Sequence, residues 1–114
     1  MENTQVPITT ESKRLELHKL LKLHSTIQNV YFLPIDSVTL RYPAIVYSET
    51  DRSDYYADDC VYLFNVSYTV VVIDRDPVFV TQTVDAFKVN FPYATIKTTY
   101  IKNNLYHKVI VITI

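Results

Sequence analysis

Leucines at helical spacing mark the first predicted element of the chain. One stripe of positions falls at i, i+3, i+4 and i+7: Leu17, Leu20, Leu21 and His24. The pattern predicts a helix from Ser12 to about His24, with Ser12 or Thr10 as its N-cap. Because the stripe is rich in leucine, we expect this helix to pack on a sheet.

Alternation of apolar and polar residues marks the longest predicted strand, residues 61–73. Its even-numbered positions are all apolar or aromatic: Tyr62, Phe64, Val66, Tyr68, Val70 and Val72. A period of two places one face of a strand on the core and leaves the other face partly in water. At ~3.3 Å per residue the strand would span roughly 43 Å, so we expect one end to bulge or to project from the domain.

Four shorter apolar runs complete the predicted sheet, at residues 29–33, 44–48, 93–100 and 107–113. The last run is apolar on both faces, which favours either a central place in the sheet or a face covered by a partner. Residues 49–60 are acidic and lack a pattern, which predicts a loop or the tip of a hairpin. Asn103 and Asn104 predict a turn, because asparagine tolerates positive φ.

A second helix is predicted from Pro77 to about Val89. Asp76 is suited to the N-cap and proline to the first helical position, where a missing N–H has no cost. The order of elements predicts an α+β fold, a mainly antiparallel mixed sheet with two helices packed on one face. We expect a flexible polar leader at residues 1–11, followed by a single domain at residues 12–114.

The composition excludes several classes of function. The 114 residues include no glycine, so the chain has no Walker A loop and no dinucleotide-binding fingerprint. A net charge of −1 gives no reason to expect tight binding to nucleic acid. No apolar run approaches the ~20 residues of a membrane span, so we expect no membrane contact. The ten tyrosines suit a surface that meets other proteins, although tyrosine is also a good strand former.

Few side chains suggest chemistry. Acidic residues cluster at 51–59 and at Asp74 with Asp76, and carboxylates at a strand end can hold Mg²⁺ for phosphodiester cleavage. A nuclease of that kind usually has a lysine on the next strand, and none follows Asp74 at short range. Cys60 has no basic neighbour to lower its pKa, which favours an inert thiol. We therefore expect no catalytic residue, no metal and no cofactor.

Several short segments occur in an order that resembles a known family. They are Tyr42-Pro43-Ala44-Ile45-Val46-Tyr47, Ala57-Asp58-Asp59 with Tyr62, Tyr68 with Val72-Ile73-Asp74-Arg75-Asp76-Pro77, and Asn104-Leu105-Tyr106-His107. This succession resembles the tail terminator proteins, also called tail completion or head–tail joining proteins, of long-tailed phages of Gram-positive hosts. Asp59 and Val78 depart from the family pattern, in which Asn and Asp are common at these places.

The resemblance implies a structural virion protein of the neck region, assembled in the host cytoplasm, and not an enzyme. Family members form a ring, expected to be a hexamer, on the head-proximal end of the tail tube. The implied partners are other copies of the chain, the tail tube protein and the head-completion or connector protein, with DNA passing non-specifically through the lumen. The alternatives are a neighbouring head-closure or connector protein of the neck, a metal-dependent nuclease, and a small-ligand binding domain.

Two groups of residues are candidates for assembly contacts under this interpretation. The candidates for the interface between subunits are Asp74, Arg75, Asp76, Tyr106 and His107. The candidates for a loop that faces the lumen or the tube are Asp54, Tyr55, Tyr56, Asp58 and Asp59. A ring needs two different complementary patches on each subunit, because its contacts are heterologous.

Overall fold

A five-stranded mixed sheet and two helices form the part of the chain that the computed structural model describes, residues 9–35, 37–57 and 60–114. In chain order the elements are α1 Thr10–Leu23, β1 Val30–Phe32, β2 Ala44–Ala57, β3 Cys60–Asp74, α2 Pro77–Asn90, β4 Ala94–Lys102 and β5 Leu105–Thr113. The strands lie in the order β1-β2-β3-β5-β4. Only the β1–β2 pair is parallel among them. The predicted α+β class with a mainly antiparallel mixed sheet is confirmed.

The first helix starts earlier than predicted. Thr9 is its N-cap, so the expectation of Ser12 or Thr10 was wrong. The Thr9 hydroxyl accepts from the Ser12 N–H at 3.1 Å, and the Ser12 hydroxyl accepts from the Thr9 N–H at 2.9 Å. This reciprocal capping satisfies two N–H groups that would otherwise lack partners at the helix start. Residues 10 and 11, predicted as the end of the leader, therefore belong to α1, and residues 1–8 lie outside the described residues.

Residues 49–57 are strand, not loop, which corrects the expectation for the acidic segment. They continue β2, and β2 pairs antiparallel with β3 from Ala44 opposite Ile73 to Ala57 opposite Cys60. The segment lacks apolar alternation because much of it is exposed, so its main-chain pairing and not a buried face makes it a strand. Positions 58 and 59 fall outside the described residues.

The predictions for the C-terminal half are confirmed. β5 lies between β3 and β4, the central place that its apolar residues favoured. Asn103 and Asn104 form the turn between β4 and β5 with φ of 55° and 61°. Positive φ at both positions matches the twist of a tight hairpin, and asparagine supplies it in a chain without glycine.

One hydrophobic core joins the helices to the sheet. The even-numbered positions of β3 from Phe64 to Val72 are buried in it, as their alternation predicted. Both helices contribute buried side chains to the same cluster: Leu17 and Leu21 from α1, and Val80, Val84 and Phe87 from α2. From β5, Ile110 lies opposite Val70 and Ile112 opposite Tyr68. The core therefore occupies the central strands and leaves the ends of the sheet for other contacts.

Candidate assembly surfaces

The β2–β3 hairpin projects beyond the rest of the sheet. β5 pairs with β3 from Ser67 to Asp74, and Ile114 just after it bonds to Val66. β1 pairs with β2 at positions 45–47. Within the described residues, positions 49–57 and 60–65 thus have no third strand on their outer sides; we call these two segments the arm. The molecule measures 53 × 27 × 24 Å along its principal axes. The prediction that the longest strand projects is confirmed, and β2 also carries register shifts near positions 50 and 56.

The first turns of α1 hold the base of the arm. Lys13 Nζ donates to the Phe64 carbonyl oxygen at 2.7 Å and lies 4.7 Å from the centre of the Phe64 ring. The Arg52 guanidinium lies 4.1 Å from the same ring centre. Arg52 also donates to Thr10 Oγ1 at 2.8 Å and pairs with Asp54 Oδ1 at 2.7 Å. Two cations therefore enclose one buried aromatic ring and join the arm to the helix.

The predicted lumen or tube residues lie on the arm, as far as the structure describes them. Tyr55 and Tyr56 are 51% and 66% exposed, and Asp54 lies beside them with its carboxylate on Arg52. Asp58 and Asp59 lie outside the described residues. Protein interfaces are enriched in tyrosine, so two neighbouring and largely exposed tyrosines on a projecting hairpin are suited to an interface.

The predicted subunit-interface residues lie at the other end of β3. Asp74 is opposite Tyr106 in the sheet, and His107 is next to Tyr106 on β5. Asp76 is the N-cap of α2, and its carboxylate accepts from the Val78 N–H at 2.9 Å. Arg75, between them, is exposed. The structure thus brings these predicted interface residues together at the end of β3. At ~3.3 Å per residue, the end of this strand at Asp74 lies roughly 46 Å from its start at Cys60.

His107 has a structural environment. Its ring stacks on Tyr100 with centroids 4.7 Å apart and planes 13° apart. Its Nδ1–H donates to the Leu105 carbonyl oxygen at 3.0 Å. Both contacts fix the ring on the outer part of the sheet, beside β4.

Sequence reasoning missed an exposed surface on β4. From position 97 to position 102 every residue of this edge strand is exposed, including Lys97, Tyr100, Ile101 and Lys102. A signal for it is present in the sequence, because residues 91–114 contain three lysines and no aspartate or glutamate. Residues 49–59 show the opposite balance, with five acidic residues and one arginine.

A polar network under α1 joins three titratable groups, Arg14, His18 and Tyr47. Arg14 Nη1 donates to the Tyr47 hydroxyl at 3.1 Å, and His18 Nδ1 lies 2.8 Å from the same oxygen. Burial lowers the pKa of His18 and raises that of Tyr47. The Tyr47 hydroxyl accepts from Arg14, and it can donate its own proton to His18 Nδ1 when that nitrogen of a neutral imidazole carries no hydrogen. The network links α1 to β2 and has the character of a satisfied structural cluster.

Tyr68 stands next to this network without joining it. Its ring packs edge-on against Tyr47 with centroids 6.1 Å apart. Among the described residues its buried hydroxyl has no hydrogen-bond partner, and burial raises its pKa to about 12. A phenol so hard to ionise is unsuited to general-base or nucleophilic work near neutral pH.

An open groove of about 430 Å³ lies between the end of α1 and α2. It is lined by Leu23, His24, Ser25, Thr26, Phe79, Gln82, Thr83 and Ala86. The Thr83 hydroxyl donates to the Phe79 carbonyl oxygen at 2.9 Å, and the His24 ring packs edge-on against Phe91. The Thr83 hydroxyl is thus engaged within the fold, and the His24 ring is packed against the core.

The described residues contain no group of three or more His, Cys, Asp or Glu side chains that could hold a metal ion. Neither α1 nor α2 is long and apolar enough to cross a membrane. No protein-family model matches the chain, and no curated protein is significantly similar to it.

Proposed function

We propose that the protein is a structural tail terminator of a long-tailed phage. In this role copies of the chain form a ring on the head-proximal end of the tail tube, stop tube polymerisation and join the tail to the head connector. The succession of short segments from Tyr42 to His107 supports the proposal by resemblance. The role requires no catalysis, no metal and no cofactor.

The observation that carries the proposal is the separation of two unlike surfaces along one elongated molecule. The arm presents tyrosines and carboxylates at one end, and the group formed by Asp74, Arg75, Tyr106 and His107 lies at the other. Rings are built from heterologous contacts, so each subunit must carry two different patches that complement each other. A hairpin held rigidly at its base can reach a neighbouring subunit or the tube.

The proposal places the assembled ring in the virion neck, with six copies expected. The tail tube protein would contact one ring face and the head-completion or connector protein the other. The predicted loop that faces the lumen or the tube is rich in carboxylates, which would repel the phosphates of passing DNA and keep its contacts non-specific.

Electron microscopy of the purified chain, alone and mixed with tail tubes, tests the proposal. We expect closed rings in the first sample and rings at one tube terminus in the second. A chain that stays monomeric at high concentration would overturn the proposal. Rings that leave tube ends bare but bind the portal side would replace it with a head-closure or connector role in the same neck.

A further inference from the structure

We infer that the arm of one copy docks on the exposed β4 edge of the next copy. The inference rests on the proposed ring, since it names the two surfaces that join neighbouring subunits. We call residues 94–102 of β4 the basic edge. The arm and the basic edge belong to different parts of the sheet, because β4 is the last strand in the order and the arm extends β2 and β3.

Charge complementarity supports the basic edge as the partner of the arm. Residues 49–57 contain Glu49, Asp51 and Asp54 against Arg52 alone, a net charge of −2. The basic edge contains Lys97 and Lys102 and no carboxylate, a net charge of +2. Among the described residues the two ion pairs are Arg14–Glu11 and Arg52–Asp54, and neither involves a lysine of the edge. Opposite potentials of this kind orient two surfaces and exclude like-charged alternatives.

Both surfaces also carry the large side chains that anchor interfaces. On the arm Tyr55 and Tyr56 are mostly exposed. On the basic edge Tyr100 is 42% exposed and Ile101 is 63% exposed. Aromatic residues supply much of the binding energy of protein interfaces, whereas charges alone mainly give orientation and rate. The two surfaces therefore match in apolar anchors as well as in charge.

The position of the basic edge agrees with the interface group predicted from the sequence. Tyr100 is opposite His107, and Ile101 is opposite Tyr106, across the β4–β5 pair. The basic edge thus continues the surface that holds Asp74 and Tyr106. A contact between this end of one copy and the arm of another is heterologous, which is the type that closes into a ring.

Lysines on an exposed edge strand have a second explanation. They can keep an open strand from pairing with other chains and so prevent aggregation. That explanation requires no acidic partner and predicts that loss of the lysines increases association. The docking contact predicts the reverse, so one experiment separates the two.

A charge exchange tests the contact by analytical ultracentrifugation of the purified full chain. The arm variant carries Glu49→Lys and Asp51→Lys, and the edge variant carries Lys97→Glu and Lys102→Glu. Each is expected to weaken self-association by roughly tenfold or more, because like charges then face each other. The chain with all four substitutions is expected to recover assembly, since its surfaces are complementary again. Glu16→Lys and Lys19→Glu, exposed on α1, are matched controls that should assemble normally.

The possible outcomes distinguish this contact from the proposed function. Assembly that persists in both reversed variants, or no recovery in the fourfold variant, would overturn the arm–edge contact and leave the ring itself standing. A wild-type chain that remains monomeric would overturn both. Assemblies that follow the charge exchange yet never bind a tube terminus would support the contact and refute the terminator role. Circular dichroism of each variant confirms that it is folded.

Discussion

Two buried tyrosines of the core differ in the partners of their hydroxyl groups. Tyr47 is bonded to Arg14 and lies within 2.8 Å of His18, whereas the Tyr68 hydroxyl is buried without a partner among the described residues. We expect Tyr47→Phe to lower the free energy of unfolding by about 1–2 kcal/mol, because it removes two bonds from a buried site.

Tyr68→Phe is the matched substitution, and we expect it to be neutral or to stabilise by up to about 1 kcal/mol, since it removes an unsatisfied polar group. Urea unfolding of both variants and the wild type gives the comparison. A loss at Tyr68 as large as that at Tyr47 would show that its hydroxyl is bonded in solution.

The lowered pKa of His18 predicts a pH dependence of stability. Desolvation lowers the pKa most, and the charges of Lys22 and Arg14 add to it, so the folded state holds His18 neutral. In the unfolded chain His18 binds a proton near pH 6.5. The stability that the fold gains by keeping His18 neutral is therefore fully present above that pH. It is lost as the pH falls through the folded-state pKa.

We therefore expect urea unfolding to show lower stability at pH 5.5 than at pH 7.5. The drop should be smaller in His18→Asn, which keeps a polar group near Tyr47 but does not titrate. An equal drop in the variant would assign the dependence to other groups.

Among the elements, the arm depends on its contacts with α1. A two-stranded hairpin is only marginally stable by itself in water. Arg52→Ala removes the stacking on Phe64, the bond to Thr10 and the pair with Asp54. We expect a loss of about 1 kcal/mol and faster hydrogen exchange of the arm amides, with the exchange of β5 changed less. Arg41→Ala, on an exposed position outside the sheet, is the control. Unchanged exchange in the arm would show that its pairing alone keeps it ordered.

Elements with an apolar period were predictable from the sequence, whereas the β2 half of the arm, residues 49–57, was not. The alternation from Phe64 to Val72 and the Asp76-Pro77 helix start gave the correct elements, because burial and capping leave a residue pattern. Residues 49–57 form a strand through main-chain hydrogen bonds, which leave no such pattern. The N-cap at Thr9 was missed because Thr9, Thr10 and Ser12 are all suitable caps, and only the reciprocal bonds decide among them.

For the candidate surfaces, the sequence suggested residues, which remain a prediction, but it did not indicate their separation. Tyr55 and Asp74 could be named from composition and resemblance, but their separation follows from strand pairing, which places Tyr55 of β2 opposite Leu63 near the start of β3 and Asp74 at its end. The basic edge needed the strand order, since only that order shows that β4 has no neighbour on its outer side among the described strands.

At the scale of the whole molecule, the exposed Arg75 is a residue at which the proposed assembly can be tested. It lies between Asp74 and the cap Asp76, and its guanidinium suits a bidentate contact with a carboxylate of a neighbouring subunit. We expect Arg75→Glu to leave a folded monomer with an unchanged melting temperature and to abolish rings in sedimentation and electron microscopy. Lys19→Glu, the same charge change on α1, should keep them. Intact rings in Arg75→Glu would remove this residue from the interface.

The strand order also has a consequence for how the chain folds. β2–β3 and β4–β5 are hairpins between neighbours in sequence, whereas β3–β5 joins segments on either side of α2. Hairpins close in microseconds, but the β3–β5 pairing, which we call the seam, joins segments far apart in sequence. It must first overcome the entropy of closing the chain between them. We therefore expect the seam, with Val70 opposite Ile110, to limit the refolding rate. Substitutions there would slow refolding, while substitutions in the arm would mainly speed unfolding.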